Sequence, residues 1–164
     1  MGKKKRTINN EAFGTLAHSA GDLWKKPFEL HIFGHSWTVE LMVDIDPISG
    51  IEQHQITAYK IFTENTVTII SESESAIFNY YQSVCNEVRG RYGITNPNDA
   101  RVPLINSKEG LFRLVEPEGV TFPYARHRPT FGILCQCTWE EERGLAVKYE
   151  NEKLVNVGFQ DIVL

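Results

Sequence analysis

Residues 28–45 read FELHIFGHSWTVELMVDI, and their alternation decides the fold class. Phe28, Leu30 and Ile32 alternate with polar neighbours, Gly34-His35-Ser36 supplies a turn, and Trp37, Val39, Leu41, Val43 and Ile45 then recur at every second position. Period-two patterning puts those five on one face of a strand and Thr38, Glu40, Met42, Asp44 and Asp46 on the other. The stretch is expected to form an antiparallel hairpin with one face in a core.

Toward the C-terminus, Asp46-Pro47-Ile48-Ser49-Gly50 is turn chemistry, and Gln53 to Phe62 is expected to return as a third strand. The period then changes. Ile70, Ser73, Ile77, Tyr80, Val84 and Val88 recur three and four apart, which predicts one long helix stopped at Gly93. Its start is blurred, because Ser71 and Glu74 have capping-box spacing while Thr66 to Ile70 is a β-branched run. Ser107 to Leu114 reads as a short second helix. Val120 to Phe122, Phe131 to Trp139, Leu145 to Lys148 and Leu154 to Phe159 read as strands, the last two joined through Glu150-Asn151-Glu152. Residues 8–27 are weakly patterned and read as a lead-in with one short helix, ending at Pro27. Strands, one long helix, then strands make the class α+β with a largely antiparallel sheet. No repeat or linker divides the 164 residues, so a single domain, 1–164, is expected, with 1–10 as a basic tail.

Composition excludes several classes. No apolar run approaches the roughly 20 residues needed to span a bilayer. The basic start Met1 to Arg6 is not followed by an apolar stretch, so it is not a secretory signal. Three cysteines do not make a disulfide framework, and a reducing cytoplasm is the expected location. Net charge is −4, but Lys3, Lys4, Lys5 and Arg6 hold four of the 17 basic residues. The remaining 13 face 21 acids, a balance of −8. Between Glu29 and Glu74 eight acids stand against Lys60 alone. Acidity of this kind repels nucleic acid and favours steered capture of a basic partner.

Chemistry is harder to find. Cys135 and Cys137 are two apart, closer than zinc motifs place their cysteines, and no histidine completes a ligand set. His18, His31, His35, His54 and His127 form no HxH or HExxH pattern, and no nucleophile elbow or phosphate loop is present. Glu140-Glu141-Glu142 offers carboxylates but no facing second acid, as glycoside hydrolysis requires. Arg126-His127-Arg128 beside Tyr124 is a small basic patch, too small for a nucleic-acid face against −8. No catalytic residue, metal or cofactor is assigned.

The closing run Trp139-Glu140-Glu141-Glu142-Arg143-Gly144-Leu145-Ala146-Val147, followed by Val157-Gly158-Phe159-Gln160-Asp161, resembles the C-terminal signature of a bacterial domain family. That signature is roughly C-x-W-D-E-E-H-G-L-G-V, then V-G-x-x-D. The family has no known biochemical function and recurs beside polymorphic toxins, where its members look like immunity proteins. Gln55 to Phe62 and Tyr80-Tyr81 also match it, so the likeness runs from about residue 28 to 164. Glu140 replaces the usual Asp, Arg143 the His and Ala146 the second Gly, so no activity resting on that His is expected here. A narrower likeness is to immunity proteins of contact-dependent growth inhibition systems that neutralise nuclease toxins. Those have a layout similar to the Whirly fold, and in one group a toxin hairpin adds to the sheet.

The resemblance implies a partner rather than a substrate: a cognate, basic toxin domain of nuclease type, and neither nucleic acid nor membrane. The alternatives are a nucleic-acid-binding module on a Whirly-like scaffold, or a small enzyme. Two contact regions follow from the residues. Glu40, Asp44 and Asp46 share the solvent face of the strand that begins at Trp37. Phe122, Tyr124, Arg126 and Arg128 lie in Val120 to Phe131, which Pro123 and Pro129 interrupt. Prolines of that kind suggest an edge of the sheet, open to an added strand.

Overall fold

The structure, a computed structural model, describes residues 2, 4–124 and 126–164. Two residues of the basic tail, Met1 and Lys3, and Ala125 of the 120–131 segment lie outside the described residues. The fold is α+β, as the alternation and the long stripe require. Four strands come first: β1 (Thr7–Asn10), β2 (Gly14–Ala20), β3 (Leu23–Ile32) and β4 (His35–Asp44). Helices α1 (Gln53–Glu64) and α2 (Thr66–Arg91) follow, then a 3-10 turn (Lys108–Arg113). Strands β5 (Val115–Phe122), β6 (Thr130–Cys137), β7 (Leu145–Glu150) and β8 (Lys153–Gly158) complete the sheet, and a last 3-10 turn (Gln160–Ile162) ends the chain. All eight strands form one sheet in chain order. Every neighbouring pair is antiparallel except β4–β5, which the two helices bridge in parallel.

The hairpin that opened the sequence reading is β3–β4, with Ile32 opposite His35. Its loop is the two residues Phe33-Gly34, earlier than the expected Gly34-His35-Ser36. Both have positive φ, 55° and 75°, which the right-handed strand twist favours in a two-residue loop. A phenylalanine there is costly. Its buried ring and the bond from its N–H to Glu74 Oε1 (2.8 Å) offset the strain and dock the tip on α2.

Three expectations are corrected. Gln53 to Phe62 is helix, not a third strand. Gln55, Ala58 and Phe62, its buried residues, are spaced three and four apart, and Glu52 with Gln55 forms a capping box at its start. Residues 8–27 form β1, β2 and the start of β3 with their turns rather than a helical lead-in, so Thr7–Asn10 of the expected tail belongs to the sheet. Asn10 Oδ1 accepts the N–H groups of Ala12 and Phe13 to turn β1 into β2, and Gly21 (φ 56°) turns β2 into β3. Pro27 sits inside β3, beyond Lys25, where β2 has ceased to pair. The segment 120–131 is not an edge: β5 lies between β4 and β6, and the free edges are β1 and β8. Pro123 and Pro129 fall in the connection outside both strands, where proline deprives no ladder of a donor.

The core lies between the helices and one sheet face. Phe62 is fully buried against Phe28, Phe122 and Phe131, with ring centroids 5.5–6.2 Å apart. Burial of each such ring contributes roughly 1.5–3 kcal/mol. Tyr149 stacks on Phe131 (4.9 Å), and its hydroxyl donates to Ile69 O (3.0 Å), so its polar end is satisfied inside the core. The opposite face carries a smaller apolar cluster of Leu134, Ala146 and Val163 with Met42 and Ile162. Val163 reaches it because Gly132 has no side chain: a Cβ there would meet Val163 Cγ1 at 2.5 Å.

Candidate partner-binding site

Three carboxylates converge at one corner of the sheet. The register that puts Leu23 opposite Asp44 brings Asp22, in the β2–β3 turn, beside the end of β4. There Ile45 N donates to Asp22 O (2.8 Å). Asp46 follows in the next turn, where its Oδ1 accepts Ile48 N (2.8 Å) and Ser49 N (2.9 Å). These bonds hold the Asp46 carboxyl below the ordinary range, so it stays charged. Burial and the nearby Asp22 charge instead push Asp44 up. Among the described residues none of the three carboxylates has a lysine or arginine nitrogen within 4.0 Å.

The parallel β4–β5 pairing carries the chain from Phe122 into the same corner. Tyr124, half-buried, donates its hydroxyl to Asp22 Oδ2 (3.2 Å). That bond and the fields of Asp46 and Asp44 raise the phenol above its usual range. The structure thus brings Asp44, Asp46 and Tyr124 together, although the sequence places them some 80 residues apart. It adds Asp22, which sequence reading missed. Gly21-Asp22 is a turn signal, and the residues opposite the β4 terminus could have been counted once that turn was recognised.

Of the remaining expected contact residues, Arg126 reaches the corner electrostatically, its charge partly offsetting the rise at Asp44, and the others do not join it. Glu40 is exposed on the same strand face but paired with Lys25 (2.5 Å). Phe122 is fully buried among the core rings, so it is corrected from contact residue to core residue. Arg126 Nη2 donates to the carbonyls of Val163 (3.3 Å) and Leu164 (3.2 Å) and holds the C-terminal turn in place. Arg128 is exposed and pairs with Glu150 (3.5 Å).

The signature run is occupied with holding the fold. Trp139 is buried against Tyr81 (4.8 Å). Glu140 binds Arg143 (2.9 Å), whose side-chain hydrogen bond holds its carboxyl below the usual range, the opposite of what a general acid needs. Arg143 in turn lies 3.8 Å over the Phe159 ring. Gly144, at φ 63°, leaves room for Gln160, whose amide donates to Cys135 O (3.0 Å) and Glu118 Oε2 (2.6 Å). Glycine and glutamine therefore clasp the C-terminal turn to β6, while the tryptophan packs on α2. Cys135 and Cys137 are buried, and burial pushes the Cys137 thiol up to about 12. A groove of about 640 Å³ between the hairpin tip and α2 is lined by two acids, of which Glu74 is engaged with both Phe33 N and Lys108.

Asp44 gives a pH test of the corner. Its folded pKa is raised, so the favourable contribution is present below pH 3.8 and is lost as pH rises through the folded value. Asp44→Asn is therefore expected to raise the melting temperature at pH 7, with the gain shrinking to nothing below pH 4. Thermal melts across that range check it. An equal gain at all pH values would show that the carboxylate charge is not the cause.

The chain belongs to the family described as a domain of unknown function, DUF6985, which matches residues 12–164. No curated protein and no solved structure matches it. No helix among the described residues is long and apolar enough to cross a membrane.

Proposed function

We propose that this member of the family is a protein-binding domain that captures a basic protein through the Asp22–Asp44–Asp46 corner. We further propose that the protein captured is the nuclease domain of a bacterial toxin, the chain acting in the cytoplasm as its immunity protein. One observation carries the first part. Three carboxylates from three separate turns or strand ends share a corner with Tyr124; no lysine or arginine nitrogen among the described residues lies within 4.0 Å of them, and the Arg126 charge offsets the rise at Asp44 only in part. Folding gains nothing from burying Asp44 beside a second carboxylate: burial first, and then the Asp22 charge, raise its carboxyl. A partner's cations would relieve the crowding and be steered in by the field. The second part rests on the sequence likeness, together with the physical fit. A nuclease must hold phosphates, is basic for that reason, and is blocked by an acidic surface.

The experiment is protection. A basic nuclease toxin domain, taken from the gene next to this chain's own if that gene encodes one, is expressed in cells with the wild type, and with a variant carrying Asp22→Asn, Asp44→Asn and Asp46→Asn. The asparagines keep the turn acceptors and remove charge only. Wild type is expected to restore growth and to co-purify with the toxin, the variant to do so at least tenfold less efficiently. Growth arrest despite abundant folded wild-type protein contradicts the toxin assignment. Retention of RNA or DNA by the purified chain in place of a protein contradicts the proposal as a whole.

A further inference from the structure

Beside the acidic corner lies a cleft of about 610 Å³ between the β1–β2 hairpin and the Asp46 turn. Trp24 and Ile45, each more than nine-tenths buried, line it with Ile8, while Asp22 and Asp46 contribute the carboxylates. The chain's own Arg6 already lies over Trp24, its guanidinium carbon 5.6 Å from the ring centroid. Backbone pairing of His18 N with Arg6 O (2.9 Å) holds it there. Yet Arg6 has no carboxylate oxygen within 4.0 Å among the described residues. The cleft therefore displays a cation on its aromatic wall while its two acids have no lysine or arginine nitrogen within 4.0 Å among the described residues.

We infer that this cleft is a receptor for an arginine side chain presented by the protein partner, with Arg6 as its internal competitor. This rests on the reading of the domain as a binder of a basic protein. The chemistry favours arginine over lysine. A planar, weakly hydrated guanidinium stacks on an indole face and offers several donors to two carboxylates at once. An ammonium is a compact, strongly hydrated charge that gains less from the ring. Ile8 and Ile45 suit the aliphatic stem of the incoming side chain. Arg6 makes the aromatic half of the contact and lacks the ionic half. A partner arginine that makes both displaces it.

The test uses the full chain and two probes, N-acetyl-arginine-methylamide and its lysine counterpart, titrated while amide and indole N–H resonances are followed. Expected shifts are confined to the Trp24 indole and the backbone around Asp22, Asp46 and Gly50, and are larger for arginine than for lysine. Arg6→Ala is expected to tighten arginine binding about two- to fivefold, the loss of one exposed cation–ring contact. Asp22→Asn with Asp46→Asn is expected to abolish the arginine preference. Absence of shifts at these positions in both wild type and Arg6→Ala overturns the inference, as does weaker binding by Arg6→Ala. The two proposals fail separately. If toxin binds and the asparagine variant binds it poorly, while the cleft ignores arginine, only the cleft is wrong. If the cleft takes arginine but no basic protein binds, only the functional reading is wrong.

Discussion

Gln55→Leu is expected to cost about 3–5 kcal/mol of folding free energy, although leucine fits the space and favours helix. Gln55 is fully buried at the first turn of α1. Its Nε2 donates to Asp44 O (2.6 Å) and Phe122 O (2.9 Å), the last residues of β4 and β5, and its Oε1 accepts Glu52 N (2.9 Å). One side chain thus starts the helix and ties together the parallel β4–β5 pair. Leucine would leave a donor and two acceptors without partners, each worth roughly 1–3 kcal/mol where water is excluded. Urea denaturation measures the loss, and a change below about 1 kcal/mol would mean that water replaces the amide. Gln55→Glu refines the test. An ionised carboxylate would face two carbonyl oxygens, so its folded pKa is raised. The stability of that variant is then present at low pH and lost as pH rises through the raised value.

Gly119→Ala is expected to be comparably damaging, about 3 kcal/mol, through overpacking rather than lost bonds. A Cβ at Gly119 would overlap the Glu40 carbonyl oxygen and stand 2.5 Å from Met42 Cε. Both neighbours belong to β4, which pairs with Gly119 through Glu40, so relief requires the parallel strands to part. Gly90 is the counter-case. It lies near the end of α2, and a Cβ there would meet nothing within 4 Å. Gly90→Ala should gain up to about 1 kcal/mol from helix propensity. Opposite signs from one chemical change would locate the effect in packing; a harmless Gly119→Ala would show that β4 and β5 are loosely joined.

Where one face of an element was buried and the other wet, the fold was legible in the sequence. The β4 alternation from Trp37 to Ile45 and the α2 stripe from Ile70 to Val88 are of this kind, and both elements stand where periodicity places them. Reading failed where the pattern was short or the decisive contact was distant. Gln53 to Phe62 carries β-compatible residues, and its helical face is only Gln55, Ala58 and Phe62, one of them polar. Ile8, Phe13, Leu16 and Trp24 are too scattered to show a period, yet three short strands form because asparagine and glycine turns link them. The 120–131 segment was misplaced for a different reason. Its prolines mark the ends of strands as well as the edge of a sheet, and only the parallel crossover decides between them. The acids of the corner were legible singly. Their convergence on Tyr124 was not, because it depends on that crossover.

Charge at this corner is proposed to drive association with a basic protein. The most direct measurement is the association rate constant with a basic nuclease domain of the proposed toxin class as ionic strength is raised. Wild type should associate fast at low salt and slow steeply as salt screens the field. The triple asparagine variant should start roughly tenfold slower with a much flatter dependence. Identical rates and salt slopes for the two proteins would contradict the claim and move the contact elsewhere on the sheet.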